Sequence, residues 1–304
     1  MSQALAWLRQ QRCPPPMARP LPAPPAGATT TAIDNGPDVF EVLRRLRERG
    51  PRKVTPAIGT GPIDRHLRGE EIAPSLWRHT EHRPSLVAPA LLDLSTLARP
   101  ARAGRRRPAP PDFETPIARE RLWFFDTETT GLAGGSGTRA FMVGVARFGP
   151  HGLTITQFTT ATMAAEAAML EAALPSLDDD ALLVSYNGRS YDRPLLSTRL
   201  TLARLRDPLR DRPHLDLLHP TRRRWRDHLP DCRLATVERQ VLGIVRNHDL
   251  PGSEAPAAWL AFLRGGSAAL LRRVGEHNAQ DLASLAALLL HHLDHAAAVD
   301  APRG

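Results

Sequence analysis

Three dense runs of apolar residues in the middle of the chain predict three neighbouring β-strands. The first covers residues 121–125 and ends at Asp126, the second covers residues 141–148, and the third covers residues 153–160 after a Gly/Pro turn. Parallel neighbours would need a crossover of about a dozen residues. The short connections therefore predict an antiparallel meander.

After residue 160 the pattern alternates between helical and strand-like segments. Residues 164–174 and 191–205 have helical character, while residues 181–186 and 214–218 are short strand candidates. A meander followed by strand–helix–strand units predicts a mixed α/β sheet of five strands flanked by helices. Two more helices are predicted at residues 234–242 and, rich in Ala and Leu, from about residue 267 to residue 295.

The first hundred or so residues have a different character. Proline-rich runs such as residues 14–16 and 108–111 make a buried core difficult to form. Residues 1–37 are predicted to be disordered, residues 38–49 to form one short amphipathic helix, and residues 50–111 to be partly ordered. We therefore predict a Pro/Arg-rich, largely disordered N-terminal arm at residues 1–115, a folded domain at 116–297 and a flexible tail at 298–304.

The formal net charge of +8 favours a nucleic-acid partner, because clustered cations release counterions from a phosphate backbone. However, Lys53 is the only lysine among 40 basic residues, so the arginine bias can reflect genome composition. Residues 1–115 contain 18 basic and 11 acidic residues, which puts nearly all of the excess charge in the arm. Charge alone is therefore weak support for nucleic-acid binding.

The cysteine pattern and hydropathy indicate the compartment. Cys13 and Cys232 lie far apart and have no metal-ligand spacing, so neither a disulfide framework nor a zinc knuckle is predicted. No uncharged run reaches the roughly 18–20 residues that a membrane span needs. These features predict a soluble protein of a reducing, cytoplasmic compartment.

The first candidate for chemistry is the pair Asp126 and Glu128, where the first strand ends. Residues two apart on an extended chain project from the same face, and two carboxylates on one face suit a divalent cation. Taken alone, such a pair is more often ordinary turn chemistry at a strand end.

A more specific segment follows the fourth strand, where residues 187–192 read Asn-Gly-Arg-Ser-Tyr-Asp. The strand breaks at an Asn-Gly turn, and the next helix begins with an aromatic residue followed by Asp192. The helix dipole favours an acidic residue in the first turn. A junction of this kind can bring Asp192 beside the end of the first strand.

The C-terminal helix supplies a histidine and a fourth carboxylate. His277 and Asp281 are four residues apart and therefore share a helical face. In isolation such a pair usually lies on a solvated face. Here an apolar stripe follows, which should dock on the sheet and aim Asp281 at the other carboxylates; it consists of Leu282, Leu285, Leu288 and Leu289.

Together these segments resemble the DEDD superfamily of 3′–5′ exonucleases, whose motifs are D-x-E, N-x-x-x-(F/Y)-D, and a final His or Tyr preceding an Asp. The run at residues 124–132, Phe-Phe-Asp-Thr-Glu-Thr-Thr-Gly-Leu, is similar to the YprB-like ribonuclease H-like proteins. The similarity covers roughly residues 120–295 and includes the segments 134–138, 184–188, 214–219, 229–234 and 249–253.

The resemblance implies a ribonuclease H-like fold and a 3′–5′ exonuclease that acts on single-stranded ends of DNA or RNA. It implies that Asp126, Glu128, Asp192 and Asp281 bind two divalent cations, Mg²⁺ or Mn²⁺, with His277 near the attacking water. Two metals suit in-line phosphodiester hydrolysis. One departure concerns His277, because histidine-type members usually place this residue five positions before the aspartate and tyrosine-type members place theirs four before it.

The alternative is a non-catalytic nucleic-acid-binding or scaffold protein that keeps the fold. Candidate substrate contacts beside the acidic residues are Thr130, Asn187, Arg189 and Tyr191, although an aromatic residue at a helix start is more often a core anchor.

Further candidates lie after the fifth strand. Asp216 and His219 are candidates for the surroundings of the site, although an aspartate at a strand end is more often structural. The run at residues 222–226, Arg-Arg-Arg-Trp-Arg, with Arg239 and Arg246 beyond it, is typical of two arrangements. In the first, these cations bind a nucleic-acid backbone. In the second, they lie on a solvated helix face with Trp225 packed inward.

Overall fold

The computed structural model describes residues 63–97, 115–131, 137–174, 180–246 and 249–300, with side chains described to residue 295. The helix predicted at residues 38–49 and the last part of the predicted tail, residues 301–304, lie outside the described residues.

The described ranges contain nine strands: β1 (Glu70–Ala73), β2 (Leu76–Arg83), β3 (Leu91–Leu92), β4 (Ile117–Ala118), β5 (Leu122–Thr129), β6 (Ala140–Gly149), β7 (Gly152–Thr160), β8 (Leu182–Ser185) and β9 (His214–Asp216). Seven of them form a mixed sheet in the order β1–β2–β7–β6–β5–β8–β9. Strands β5, β6 and β7 are the antiparallel meander, while β8 is parallel to β5 and β9 is parallel to β8. The predicted mixed sheet is confirmed.

The sheet has two strands more than the five expected, and both come from residues assigned to the arm. Strand β2 pairs with β7 over its full length, from Leu76 opposite Thr160 to Arg83 opposite Leu153. Its sequence, Leu-Trp-Arg-His-Thr-Glu-His-Arg, lacks an apolar run because most of its side chains are at least partly exposed. Strands β3 and β4 also pair with each other. The structure therefore differs from the expected arm, since residues 63–97 are part of the fold.

Six α-helices follow in the described ranges: α1 (Glu166–Ala173), α2 (Asp192–Leu202), α3 (Leu218–Trp225), α4 (Leu234–Val237), α5 (Ala255–Leu263) and α6 (Ala269–Asp300). A π turn, Glu238–Leu242, continues α4, and short 3-10 turns cover Ser95–Leu97, Arg119–Arg121, Met163–Ala165 and Gly252–Glu254. The four helices predicted after residue 160 are present. Helix α5 was not predicted, because proline usually interrupts a helix and Pro256 stands near its start. Proline is nevertheless tolerated in the first turn, where Pro256 lies. None of the described helices is both long and apolar enough to cross a membrane.

The helices cover both faces of the sheet. Helix α6 packs its apolar stripe against Phe124 and Ile155 on one face, with Leu282 and Leu285 at the centre of the contact. Helices α1 and α2 cover the other face, where they bury Phe125. A third cluster joins α5 to the beginning of α6 and to β6. The carboxyl ends of β5, β8 and β9 lie at one edge between these layers.

Helix α6 approaches the sheet most closely at Gly144, in the middle of β6. A Cβ atom added there would collide with the side chains of Asn278 and Leu282. Asn278 occupies the space that this glycine leaves, where its Oδ1 accepts a hydrogen bond of 2.8 Å from Gln157 Nε2. Its Nδ2 donates to Asp126 Oδ2, also at 2.8 Å. The seating of α6 on the sheet therefore depends on the absence of a side chain at residue 144.

We predict that Gly144→Ala lowers the free energy of unfolding by about 1–3 kcal/mol, because the new methyl group overpacks the contact with α6. Gly137→Ala is the matched control, since a Cβ atom there would meet no atom within 4 Å. Denaturant unfolding of both variants gives the comparison, and equal stabilities would contradict this account of the seating.

Candidate active site

Asp126 and Glu128 lie at the carboxyl end of β5, on the face of the sheet that α6 covers. Strand alternation puts them in line with Leu122 and Phe124, which are fully buried beneath α6. Glu128 is itself buried, while Asp126 retains partial exposure. The pair therefore lies where the apolar interface between sheet and helix gives way to polar side chains.

Asp192 is the first residue of α2 and approaches the same edge from the other face of the sheet. Its Oδ1 accepts a hydrogen bond of 2.5 Å from Oγ1 of Thr127, the β5 residue between Asp126 and Glu128. A Cβ atom added at Gly188 would lie 3.2 Å from Asp192 Oδ2 and closer still to the side chain of Ser185. The turn before α2 is thus packed too tightly for a larger residue, which holds Asp192 against β5.

Asp216, at the end of β9, holds the loop that leads into α2. Its carboxylate accepts hydrogen bonds from the backbone N–H groups of Asn187 at 2.7 Å, Arg189 at 3.1 Å and Leu218 at 3.1 Å. Asn187 has a left-handed φ of 64°, a conformation in which asparagine is enriched. Asp216 is buried, so it acts by shaping this loop and the start of α3.

His277 and Asp281 lie one turn apart on α6, with His277 Nε2 3.6 Å from Asp281 Oδ2. The Oδ1 atom of Asp281 accepts a hydrogen bond from Arg246 Nη2. His277 Nδ1 lies 2.9 Å from Asp249 Oδ1. A protonated Nδ1 would donate to Asp249 and leave Nε2 as the acceptor beside Asp281, whereas an unprotonated Nδ1 would accept from Arg246 Nη1, which lies 3.1 Å away.

Arg246 is the centre of an ion network next to the carboxylates. Its Nε and Nη2 donate to the two oxygens of Glu238 at 2.8 and 2.5 Å, and Glu238 is 1% exposed. Its Nη1 also lies 3.3 Å from Asp249 Oδ2. Although burial alone would lower the pKa of Arg246, Asp281 and Glu238 raise it, so the guanidinium stays charged. The guanidinium of Arg246 therefore pairs with carboxylates of the protein itself. It does not extend outward to bind a nucleic-acid backbone.

The four carboxylates lie close enough to affect one another's ionisation. Burial raises the pKa of Asp126 well above its ordinary range, and the charges of Asp281, Asp192 and Glu128 raise it further. Burial, followed by the charges of Asp281 and Asp192, does the same for Glu128. Burial also raises the pKa of Asp192 to about 6, although the hydrogen bond from Thr127 opposes this. Desolvation and mutual repulsion thus concentrate at one edge of the sheet.

The chemistry of these donors fits a divalent cation, because carboxylate oxygens are the ligands that Mg²⁺ and Mn²⁺ prefer. As they stand, no three His, Cys, Asp or Glu side chains of the described residues converge closely enough to hold an ion. Three of the carboxylates have hydrogen-bond partners of their own: Asn278 for Asp126, Thr127 for Asp192 and Arg246 for Asp281. A bound cation would require these side chains to turn toward one another.

The candidate substrate contacts differ in their surroundings. Tyr191 is 57% exposed and is therefore not a core anchor. Arg189 is also exposed. Thr130 closes the loop between β5 and β6, since its N–H donates to the carbonyl of Arg139 at 2.9 Å and its Oγ1 accepts from the Arg139 N–H at 3.0 Å. Tyr191 and Arg189 are the candidates with side chains open to a ligand, and a substrate role for any of the four stays a prediction.

Sequence reasoning missed Asn278 and the role of Glu238. Asn278 is fully buried and lies between Val274 and Leu282, four residues from each, on the apolar stripe of α6. A polar residue in the middle of such a stripe indicates a buried partner, because an unpaired amide would be costly there. Glu238 gives a similar signal between the buried Val237 and the apolar residues that end the turn.

Comparison with known proteins gives three findings. A model of the RNase_H superfamily matches residues 123–292, which include all four carboxylates. The uncharacterized protein YprB of Bacillus subtilis (strain 168) is 40% identical over 174 residues, which cover 57% of this chain and 42% of that protein. The chain thus spans less than half the length of this relative. Among solved structures, the family B DNA polymerase from the hyperthermophilic archaeon Pyrobaculum calidifontis matches with a TM-score of 0.40 and 15% identity, covering 55% of this chain and 24% of the polymerase chain.

We predict that Asp126→Asn stabilises the protein in the presence of a chelator at pH 8. A carboxyl group whose pKa is raised by folding contributes stability that is fully present below its unfolded pKa, near 4, and is lost as the pH rises through the folded value. Removing the charge should therefore raise the unfolding free energy by about 1 kcal/mol or more, or the melting temperature by roughly 2–4 °C.

The gain from this substitution should shrink as the pH falls toward 4, because the parent carboxyl then becomes neutral as well. Thermal melts across this range, with Asp180→Asn as the exposed control, measure the difference. A gain that does not change with pH would contradict mutual repulsion as its cause.

We also predict that Arg246→Ala lowers the unfolding free energy by about 3–5 kcal/mol, because it leaves the buried Glu238 carboxylate without its counterion. Arg68→Ala is the matched control, since the Arg68–Glu276 pair is about half exposed, with side-chain exposures of 45% and 51%. That control should lose at most about 1 kcal/mol. Similar losses for the two variants in urea titrations would show that the Arg246 network has no special role in stability.

Proposed function

Because the chain belongs to the RNase_H superfamily and carries a YprB-like ribonuclease H-like domain, we propose that it is a metal-dependent nuclease, specifically a 3′–5′ exonuclease acting on single-stranded ends. One observation carries this proposal: Asp126, Glu128, Asp192 and Asp281 meet at one edge of the sheet and repel one another. A fold seldom retains such a costly cluster without a use for it. The order of the three acidic motifs along the chain supports the exonuclease class and its polarity.

The four carboxylates would hold two divalent cations, Mg²⁺ or Mn²⁺. When bound, the cations supply charge stabilisation for the transferring phosphoryl group and lower the pKa of water. Asp126 and Glu128 present their oxygens from β5, while Asp192 and Asp281 do so from α2 and α6. These elements belong to different layers of the fold, so the carboxylates would approach the cations from three sides.

His277 would accept the proton of the attacking water through Nε2. In the tautomer that this role requires, Asp249 would orient the ring by accepting from Nδ1, in the manner of a carboxylate that fixes a catalytic histidine. The four-residue spacing puts His277 one helical turn from Asp281, so the two side chains lie next to each other.

Tyr191 and Arg189 are suited to contact the substrate. The exposed ring of Tyr191 lies immediately before Asp192 and can stack on the terminal base. The exposed guanidinium of Arg189, in the loop held by Asp216, can pair with a phosphate. Both contacts are independent of base identity, which fits an enzyme that removes successive nucleotides.

We predict that the full chain shortens end-labelled single-stranded DNA or RNA from the 3′ end when Mn²⁺ or Mg²⁺ is added and is inactive with a chelator. Asp126→Asn should reduce the rate at least about 100-fold, because even partners of metal ligands commonly cost 10–100-fold. Gel ladders from a 5′-labelled strand measure both rate and direction.

The exposed Glu171→Gln variant is the control for this assay and should retain parental activity. Equal cleavage by Asp126→Asn and the parent would overturn the assigned site. Binding of oligonucleotides with no shortening under either metal would instead support a nucleic-acid-binding protein that keeps the fold.

A further inference from the structure

Helix α3 and the residue that follows it carry four basic side chains around one recess, which we call the basic stripe: His219, Arg222, Arg223 and Arg226. Their spacing of three or four residues puts them on the same side of the helix. They line a recess of about 260 Å³. The three arginines are exposed and His219 is half-buried. The stripe is therefore a concentrated positive surface that the carboxylate site does not use.

The fold itself uses only part of this positive charge. Arg223 Nη2 donates to the carbonyl of Leu97 at 3.0 Å. Arg224, which lies outside the stripe, turns inward to the carbonyl of His292 at 3.2 Å. Arg226 forms an ion pair of 3.5 Å with Asp227, but the two side chains are 73% and 84% exposed, so this pair contributes little stability. Arg222 and Arg226 can thus bind a ligand without loss to the fold.

The stripe is continuous with the candidate active site. The N–H group of Leu217, just before α3, donates to the carbonyl of Ser185 at the end of β8. Asp216 binds the start of α3 and the loop containing Arg189 with one carboxylate. The first turn of α3 therefore begins at the edge where the four carboxylates meet. From there the stripe leads away from the site for seven residues, or about 10 Å.

The composition of the stripe favours a phosphate backbone over other ligands. The side chains that line the recess all belong to basic residues, which favours an anionic ligand. Arginine forms paired hydrogen bonds with phosphate groups. Trp225, the aromatic residue of this segment, packs against His292 with ring centroids 4.8 Å apart, so it does not offer its ring to a base. The surface can recognise charge but has no feature that reads sequence.

We propose that the basic stripe binds the phosphate backbone of the single-stranded nucleic acid upstream of the end that lies in the active site. This inference rests on the proposed function for the position of the reacting end. The stripe supplies affinity for a long strand, while the carboxylate edge acts on its terminus. Binding through the stripe is independent of base sequence.

The experiment measures binding of the full chain to fluorescent single-stranded oligonucleotides in a chelator, so that no hydrolysis occurs. The test variant is Arg222→Gln/Arg226→Gln. The matched control is Arg121→Gln/Arg206→Gln, which removes the same charge from positions just before β5 and after α2, at the opposite edge of the sheet. Arg121 and Arg206 are, respectively, partly exposed and exposed.

For a strand of about 16 nucleotides, the test variant should bind about tenfold or more weakly near 0.1 M salt, with a salt-dependence slope shallower by about 1.4. Oligo-dT and oligo-dA should lose affinity equally, a trinucleotide should bind as it does to the parent, and the control should match the parent. No loss in the test variant, or equal loss in both variants, would overturn the proposal.

Cleavage assays on the same proteins separate the two proposals. If the parent degrades long strands and the test variant degrades them equally well at subsaturating substrate, the stripe proposal fails and the nuclease stands. If the parent binds through the stripe but hydrolyses nothing with Mn²⁺ or Mg²⁺, the nuclease proposal fails and the binding surface stands. In the expected case, the test variant has a raised KM for long strands and an unchanged kcat.

Discussion

The close seating of α6 on the sheet at Gly144 is the constraint on which the rest of the site depends. Only a residue without a side chain lets Asn278 descend between β5 and β7, where its amide joins Gln157 to Asp126. The amide has one arrangement that satisfies both partners, with the oxygen toward Gln157 and the nitrogen toward Asp126. This sets the rotation of α6 and hence the direction in which Asp281 points.

Crowding the carboxylates against an apolar interface has an electrostatic cost, and the surrounding residues limit it. Asn278 donates to Asp126, Thr127 donates to Asp192, and the guanidinium of Arg246 neutralises Asp281. Glu238 holds that guanidinium in turn from a buried position. Each partner satisfies one carboxylate in the absence of a cation. A cluster stabilised in this way can persist in the folded protein before any cation binds.

The parts of the fold with strong local patterns could be predicted from the sequence. The alternation along β5 put Asp126 and Glu128 on one face, and the leucine stripe of α6 oriented Asp281. Strands β1 and β2, the two outermost on their side of the sheet, were missed because strands with mostly exposed side chains have no apolar run. Their ladders of backbone hydrogen bonds hold them in the sheet. The Arg246 network was missed because its members come from three separate segments, the π turn after α4, the loop that follows it and α6, and only the tertiary structure brings them together.

The topology explains why the acidic cluster and the basic stripe lie at the same edge of the sheet. Strands β5, β8 and β9 are parallel, so the segments that follow them all begin at their carboxyl ends. Strand β5 carries Asp126 and Glu128 at its own carboxyl end, the segment after β8 carries Tyr191 and Asp192, and the segment after β9 becomes the basic α3. Asp216 joins the segments after β8 and β9 by binding the backbone of both. A movement of α3 would therefore shift the loop that positions Asp192. The geometry of the four carboxylates thus depends on Asp216, which is not one of them.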